Sequence, residues 1–159
     1  MVDPWVDGRE AKSMTDVQGE HRPGGGPSLD GARVLIVEDQ PEVADLLVIA
    51  VTGIGGEVIA VAATMDGAMA LIRSEAISIA IVTKVVRGVH ADVVARELVR
   101  RGIPYVVTAG SGAARGHPEL HAALTITKPF LMRYVQVVLL DIAAQIIGTK
   151  SAPPRARLT

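Results

Sequence analysis

Charged side chains that could bind a metal ion or a phosphoryl group follow two apolar runs far apart in the sequence. Glu38 and Asp39 come directly after "RVLIV", and Lys128 stands before Pro129 after "LTIT". Adjacent carboxylates repel each other unless a cation lies nearby, so they commonly hold Mg²⁺ or pair with lysine or arginine. Lysine is a compact cation that suits phosphoryl oxygens. Each signal is weak alone, and the two act together only in a fold that brings them to one place.

The elements that must position these residues alternate between strand and helix. Pro41 and the acids after it predict the start of helix one, and Thr64 can cap helix two. A weak short helix is predicted within "HPELHAA", and a long helix five from Phe130 to Ile147. Right-handed crossovers turn such a (βα)₅ alternation into a parallel sheet with helices on both faces. The predicted strands are "ARVLIVED", "EVIAVAA", "ISIAIVT", "PYVVTA" and "LTIT".

The carboxyl ends of the predicted strands are where function is expected, because ligands bind at that edge of open parallel sheets. Four of these ends carry Glu38-Asp39, Thr83, Thr108-Ala109 and Lys128.

The composition excludes several functional classes. The chain has 159 residues, no cysteine and a net charge of −1, so disulfides, thiol chemistry and a general attraction to nucleic acid are not expected. Aromatic residues are only 3%, which predicts an aliphatic core of α/β layers. The most apolar stretch is interrupted by Arg133 and Asp141 and is short for a membrane span. We therefore expect a cytoplasmic protein that does not enter the membrane.

The two ends differ from the middle of the chain. Residues 1–30 lack apolar periodicity and are predicted to be a flexible extension, with a docking motif around Trp5 as the alternative. Residues 31–148 are predicted to form one domain, and residues 149–159 a flexible tail.

The strand-end residues resemble a known signature. "RVLIVEDQPEVADLL" and "ITKPF" resemble the opening motif and the lysine-proline motif of receiver domains of two-component response regulators. The stretches that look most like the short stand-alone receivers are "VIAVAAT", "RGIPYVV" and "LTITKPF". The resemblance covers residues 32–147. It implies a flavodoxin-like fold with strand order 2-1-3-4-5, a cis bond before Pro129, and a phosphoryl-accepting aspartate at the end of strand three. That aspartate, the acidic pair and Mg²⁺ would act together, with Lys128 pairing with the phosphoryl group.

This chain departs from the family at the reacting positions. An ungapped comparison places Thr83 on the phosphoacceptor, where its neutral hydroxyl lacks an activating base. In the family, a threonine or serine hydroxyl at the end of strand four moves to bond the phosphoryl group. Counting from Pro104 places Ala109 at this switch position, although a shift of one residue would place Thr108 there. Receiver domains often carry an aromatic side chain that repacks on phosphorylation three residues before the lysine, and here that position is Thr125. The acidic pair and the lysine therefore remain without the acceptor.

Several alternatives stay open. Glu38 and Asp39 can be a structural pair neutralised by Lys128, with help from Lys84 or Arg87, which we favour over a Mg²⁺ site. Asp92 fits a first-turn helix acid better than a substitute acceptor. The glycine-rich loop at 108–116 follows the wrong strand for a dinucleotide fingerprint, and His117 and His121 lack a third metal ligand.

Helices one and five are unusually apolar for surface helices. Adjacent apolar faces predict an interface, such as a two-fold dimer, although a richer core under alanine-lined helices would give the same pattern. The predicted interface residues are Leu46, Leu47, Ile49, Leu131, Tyr134, Val135, Val138 and Ile142.

We therefore expect a non-enzymatic, phosphorylation-independent pseudo-receiver without a cofactor. It would bind a sensor histidine kinase or another response regulator and form a homodimer. The alternative is a Mg²⁺-dependent phosphorelay regulator with a non-standard acceptor.

Overall fold

The computed structural model describes residues 28–110 and 124–150 of the chain. The short helix predicted within "HPELHAA" lies outside these residues. The described elements follow in the order β1 (Arg33–Val37), α1 (Pro41–Gly53), β2 (Glu57–Ala62), α2 (Met65–Ser74), β3 (Ile79–Thr83), β4 (Val85–Val86), β5 (Val89–His90), α3 (Asp92–Arg100), β6 (Tyr105–Ala109), β7 (Leu124–Thr127) and α4 (Met132–Lys150). The helix predicted as the fifth is thus α4 here.

Five strands form one parallel sheet in the order β2-β1-β3-β6-β7. Because β6 and β7 are the fourth and fifth predicted strands, the expected order 2-1-3-4-5 and the flavodoxin-like class are confirmed. The register places Thr83 directly beside Thr108 at the carboxyl ends of β3 and β6.

The core has two aliphatic layers, one on each face of the sheet. β3 and β6 are buried along their whole length, as expected for parallel strands covered by helices on both sides. Leu35, Ile72 and Leu98 lie in the layer under α2 and α3, and Ile36 and Leu47 lie in the layer under α1 and α4. This packing fixes the strand ends that carry the candidate site.

The residues before β1 pack against the end of α1. Leu29 is buried, and its N–H donates to the carbonyl oxygen of Ile54 at 2.9 Å. A Cβ on Gly56 would approach Val51 Cγ1 to 2.6 Å and Leu29 Cδ1 to 2.8 Å, so this position accommodates only glycine without rearrangement. The packed region therefore includes residues before the predicted boundary at residue 30.

A β-hairpin after β3 is the main difference from the predicted elements. β4 and β5 pair antiparallel through a two-residue turn in which Arg87 (φ 49°) and Gly88 (φ 77°) both have positive φ. Positive φ at both positions is the requirement of a type I′ hairpin turn. In addition, α4 begins at Met132 rather than at the predicted Phe130. No helix within residues 28–110 and 124–150 is long and apolar enough to cross a membrane.

Candidate functional site at the carboxyl ends of the strands

Glu38 is the centre of a buried polar cluster. Its side chain is fully buried at the end of β1, and Lys128 Nζ lies 2.8 Å from Glu38 Oε2. The Thr83 hydroxyl donates a hydrogen bond to the same oxygen, and the backbone N–H of Gln40 donates to Oε1 at 3.0 Å. A buried carboxylate needs a counter-charge and hydrogen-bond donors, and these three partners supply both.

The cluster continues from Thr83 to Thr108. Their hydroxyl oxygens are 3.0 Å apart, and Thr108 is fully buried. Since Thr83 gives its only hydroxyl proton to Glu38, Thr108 donates to Thr83. Lys128, Glu38, Thr83 and Thr108 therefore connect β1, β3, β6 and the end of β7 through one chain of polar contacts.

The three residues predicted at switch positions have different surroundings in the structure. Thr108 contributes its hydroxyl to the cluster, whereas Ala109 contributes its carbonyl oxygen, which accepts from Lys128 N–H at 2.7 Å. Thr125 is exposed on the edge strand β7 and takes no part in the cluster. Successive side chains on a strand point to opposite faces, so only one of Thr108 and Ala109 can face Thr83.

Asp39 is held by the hairpin rather than by a side-chain cation. The backbone N–H of Arg87 donates to Asp39 Oδ2 at 2.9 Å. This hydrogen bond is the main reason that the pKa of Asp39 lies below its usual value, and the positive charge of Lys128 lowers that pKa further. Arg87 was considered as a neutralising cation, but it acts here through its main chain. The sequence pattern had not indicated this contact, because the hairpin was not predicted.

The carboxylates at the strand ends are engaged by groups of the protein itself. Both oxygens of Glu38 and Oδ2 of Asp39 accept hydrogen bonds from the protein itself. Thr83 adds no charge where a third carboxylate would stand, and no group of three His, Cys, Asp or Glu residues within the described ranges could hold a metal ion. The charge of Glu38 is offset instead by Lys128.

Several other predicted residues lie near this site or outside the described ranges. The peptide bond between Lys128 and Pro129 is cis. Asp92 is buried in the first turn of α3, and Lys84, directly after Thr83, is buried as well. Most of the glycine-rich loop, with His117 and His121, lies outside the described residues.

Half of the predicted interface residues are not on the surface, which corrects the prediction from helix composition. The four buried residues belong to the core layer under α1 and α4: Leu47, Val135, Val138 and Ile142. Their side chains fill the space between the helices and the sheet, so the apolar excess of these helices is partly a core requirement.

The remaining predicted interface residues are at least partly exposed. Ile49, Tyr134 and Leu131 are 55%, 53% and 78% exposed, and Val137, which was not predicted, is 49% exposed. Leu46 is half-buried and lines a cavity of about 500 Å³ with Val43, Pro129 and Phe130. Gln136 Nε2 donates to the carbonyl oxygen of Ala50 at 3.1 Å and joins α4 to α1.

Comparison with solved structures identifies the fold family. The solution structure of SdrG from Sphingomonas melonis Fr1 matches with 26% identity and a TM-score of 0.63, over 73% of this chain and 98% of that one. The response regulator PhyR from Brucella abortus matches with 24% identity and a TM-score of 0.60, over 77% of this chain and 54% of that longer chain. A CheY-like receiver domain protein from Methanospirillum hungatei JF-1 matches with 21% identity and a TM-score of 0.60, over 73% and 98%. No protein-family model and no curated protein sequence matches.

Two of these structures are a response regulator and a CheY-like receiver domain protein, and this chain resembles both in fold. The chain therefore has the fold of response-regulator receiver domains, and its strand β3 ends on Thr83.

Proposed function

We propose that this protein is a phosphorylation-independent receiver domain that binds other proteins in bacterial two-component signalling. The observation that carries the proposal is the contact of Glu38 with both Thr83 and Lys128. In this arrangement the lysine is paired with a carboxylate of the domain itself, and the end of β3 offers a neutral hydroxyl that donates to that carboxylate. A phosphoryl group would find neither a carboxylate nucleophile nor an unpaired lysine there.

The hydroxyl of Thr83 is also unsuited to replace the missing nucleophile. Activation of a threonine requires a general base that takes its proton. The carboxylate that receives this proton in a hydrogen bond is Glu38, which is already engaged by Lys128 and by the backbone N–H of Gln40. The short chain of contacts therefore supports a structural role for both residues.

Function in this proposal depends on contacts with partners rather than on chemistry. The partner is a sensor histidine kinase or another response regulator in the cytoplasm. The surface proposed for binding is the exposed part of the α1–α4 face, which we define as Leu46, Ile49, Leu131, Tyr134 and Val137. A second copy of the chain on this face gives a homodimer.

Phosphorylation can be tested directly on the full chain. After incubation with acetyl phosphate and Mg²⁺, we expect the intact mass to remain unchanged. With beryllofluoride and Mg²⁺, we expect the amide resonances of Asp39, Thr83 and Lys128 to stay in place. A receiver with a natural aspartate acceptor, treated in parallel, is the positive control. A mass increase of one phosphoryl group, or shifts centred on Asp39 and Lys128, would overturn the proposal and support a phosphorelay regulator with a non-standard acceptor.

A further inference from the structure

The hairpin and α3 form an exposed surface that combines valines with arginines. Val89 on the hairpin and Val93 on α3 are 53% and 56% exposed. On α3, Val93, Arg96 and Arg100 follow each other at spacings of three and four residues, which places them on one outer stripe of the helix. We call the set Arg87, Val89, Val93, Arg96 and Arg100 the hairpin–α3 surface.

The charge of the hairpin–α3 surface is opposite in sign to that of the outer face of α1. Between Val85 and Gly102 there are four arginines and two acids, which leaves a formal charge of +2. Asp92 is buried, and Glu97 is paired with Arg100 and Arg101. The outer face of α1 carries the acids Glu42 and Asp45 instead. The hairpin–α3 surface therefore has a net positive charge, which favours an acidic, apolar ligand.

The beginning of this chain carries a segment of that chemistry. The segment Met1–Asp7 contains Trp5, two valines and two aspartates, and no basic side chain. Over residues 1–20 there are five acids and two bases, and Trp5 is the only tryptophan of the protein. A tryptophan gains more from burial than any other side chain of such a segment, because it covers the largest apolar area.

We propose that the segment around Trp5 docks in cis on the hairpin–α3 surface. Trp5 packs against the exposed valines, and Asp3 and Asp7 lie close to the arginines of α3. This contact removes exposed apolar surface of the domain from water. The inference does not depend on the phosphorylation state of the site.

The chain between Trp5 and Ser28, which tethers the segment to the domain, is long enough for this contact. Ser28, the first described residue, shares a cavity of about 740 Å³ with Gly102, which follows the end of α3. From there α3 leads back to Val93 over about 14 Å. The 23 residues from Trp5 to Ser28 span about 26 Å as a coil, and up to about 75 Å when extended. A tether of this length holds the segment at millimolar effective concentration near the surface.

Trp5 fluorescence in the full chain tests the proposal. Because the protein has one tryptophan, its emission reports on this segment alone. We expect emission shifted to the blue, and acrylamide quenching lowered to about half of that of a synthetic peptide of residues 1–20. We expect the Trp5→Ala variant to move amide resonances of residues 85–100 relative to wild type. Added salt should weaken the contact, since opposite charges contribute to it.

Matched variants test whether Trp5 contacts the hairpin–α3 surface or a different one. We expect Val93→Glu to return quenching to the level of the peptide, whereas Val137→Glu, at a valine of α4 that is 49% exposed, leaves it unchanged. Solvent-like emission of Trp5 in the wild-type chain would overturn the proposal, and so would resonance changes centred on α1 or α4. A blue shift that disappears on dilution would assign the contact to a second copy and would overturn docking in cis.

Discussion

At the scale of single residues, the carboxylate of Glu38 decides what the site can do. Its burial is tolerated because Lys128 and Thr83 are in contact with it. We expect Glu38→Gln to lower the free energy of unfolding by about 3 kcal/mol, because the lysine loses its counter-charge. Lys128 keeps 20% side-chain exposure, which limits the loss. Urea unfolding followed by circular dichroism measures the effect.

A matched control for this prediction is Glu57→Gln. Glu57 is exposed and lies 3.7 Å from Arg33, so the loss of that surface pair should change stability by less than about 0.5 kcal/mol. Equal effects of the two variants would show that the Glu38–Lys128 pair contributes no more than a surface pair.

The Thr83→Asp variant tests whether a third carboxylate is all that the strand-end site lacks for binding Mg²⁺. An aspartate at this position faces Glu38, and we expect it to lower stability by about 2 kcal/mol compared with Thr83→Asn, because like charges then meet in a buried place. Mg²⁺ should bind to Thr83→Asp and recover most of this loss, but should leave Thr83→Asn unchanged. Thermal unfolding with and without Mg²⁺ measures both. No response of Thr83→Asp to Mg²⁺ would mean that the site has changed beyond one residue.

The residues at the strand ends could be predicted from the sequence, but their contacts could not. The apolar runs and the acids and lysine that follow them indicated Glu38, Thr83 and Lys128 as neighbours. The choice between Thr108 and Ala109 depended on the register of a single residue, and such a shift exchanges the two faces of a strand. The counted register favoured Ala109, whereas in the structure the hydroxyl of Thr108 meets Thr83.

At the scale of elements, the turn of the β4–β5 hairpin is joined to the site by a hydrogen bond. The N–H of Arg87 donates to Asp39, whose pKa is lowered mainly by this bond. A lowered pKa in the folded state means that the contact contributes its full stability above the ordinary pKa of 3.8 and loses it as the pH falls through the lower value. We expect the amide proton of Arg87 to titrate with a midpoint below pH 3.8 in NMR spectra.

Asp39→Asn provides the control for this titration. The asparagine side chain still accepts a hydrogen bond but does not ionise, so the acid-dependent shift of the Arg87 amide should disappear. A shift that persists in Asp39→Asn would assign the titration to another group. The hairpin itself was difficult to foresee, because Arg87 adopts a positive φ that glycine, asparagine or aspartate usually supply.

At the scale of the whole molecule, burial decides which apolar residues can bind a partner. Helix composition placed Val138 in the interface, but its side chain fills the core, and a charge there would test folding rather than binding. A sequence pattern shows how apolar a helix is and not how much of it the sheet and α1 cover. The exposed residues Ile49, Tyr134 and Val137 are the proper positions for a test of the α1–α4 face.

We expect the wild-type chain at high concentration to scatter light with the mass of two copies. Ile49→Glu and Tyr134→Glu should each give the mass of one copy, because a charge at the centre of an apolar contact loses its hydration without gaining a partner. Val61→Glu places the same charge on an exposed valine of β2 and should leave the dimer intact. A single-chain mass for wild type at every concentration would exclude the homodimer and leave this face for a different protein. If Val61→Glu dissociated the dimer as well, the contact would lie elsewhere on the molecule.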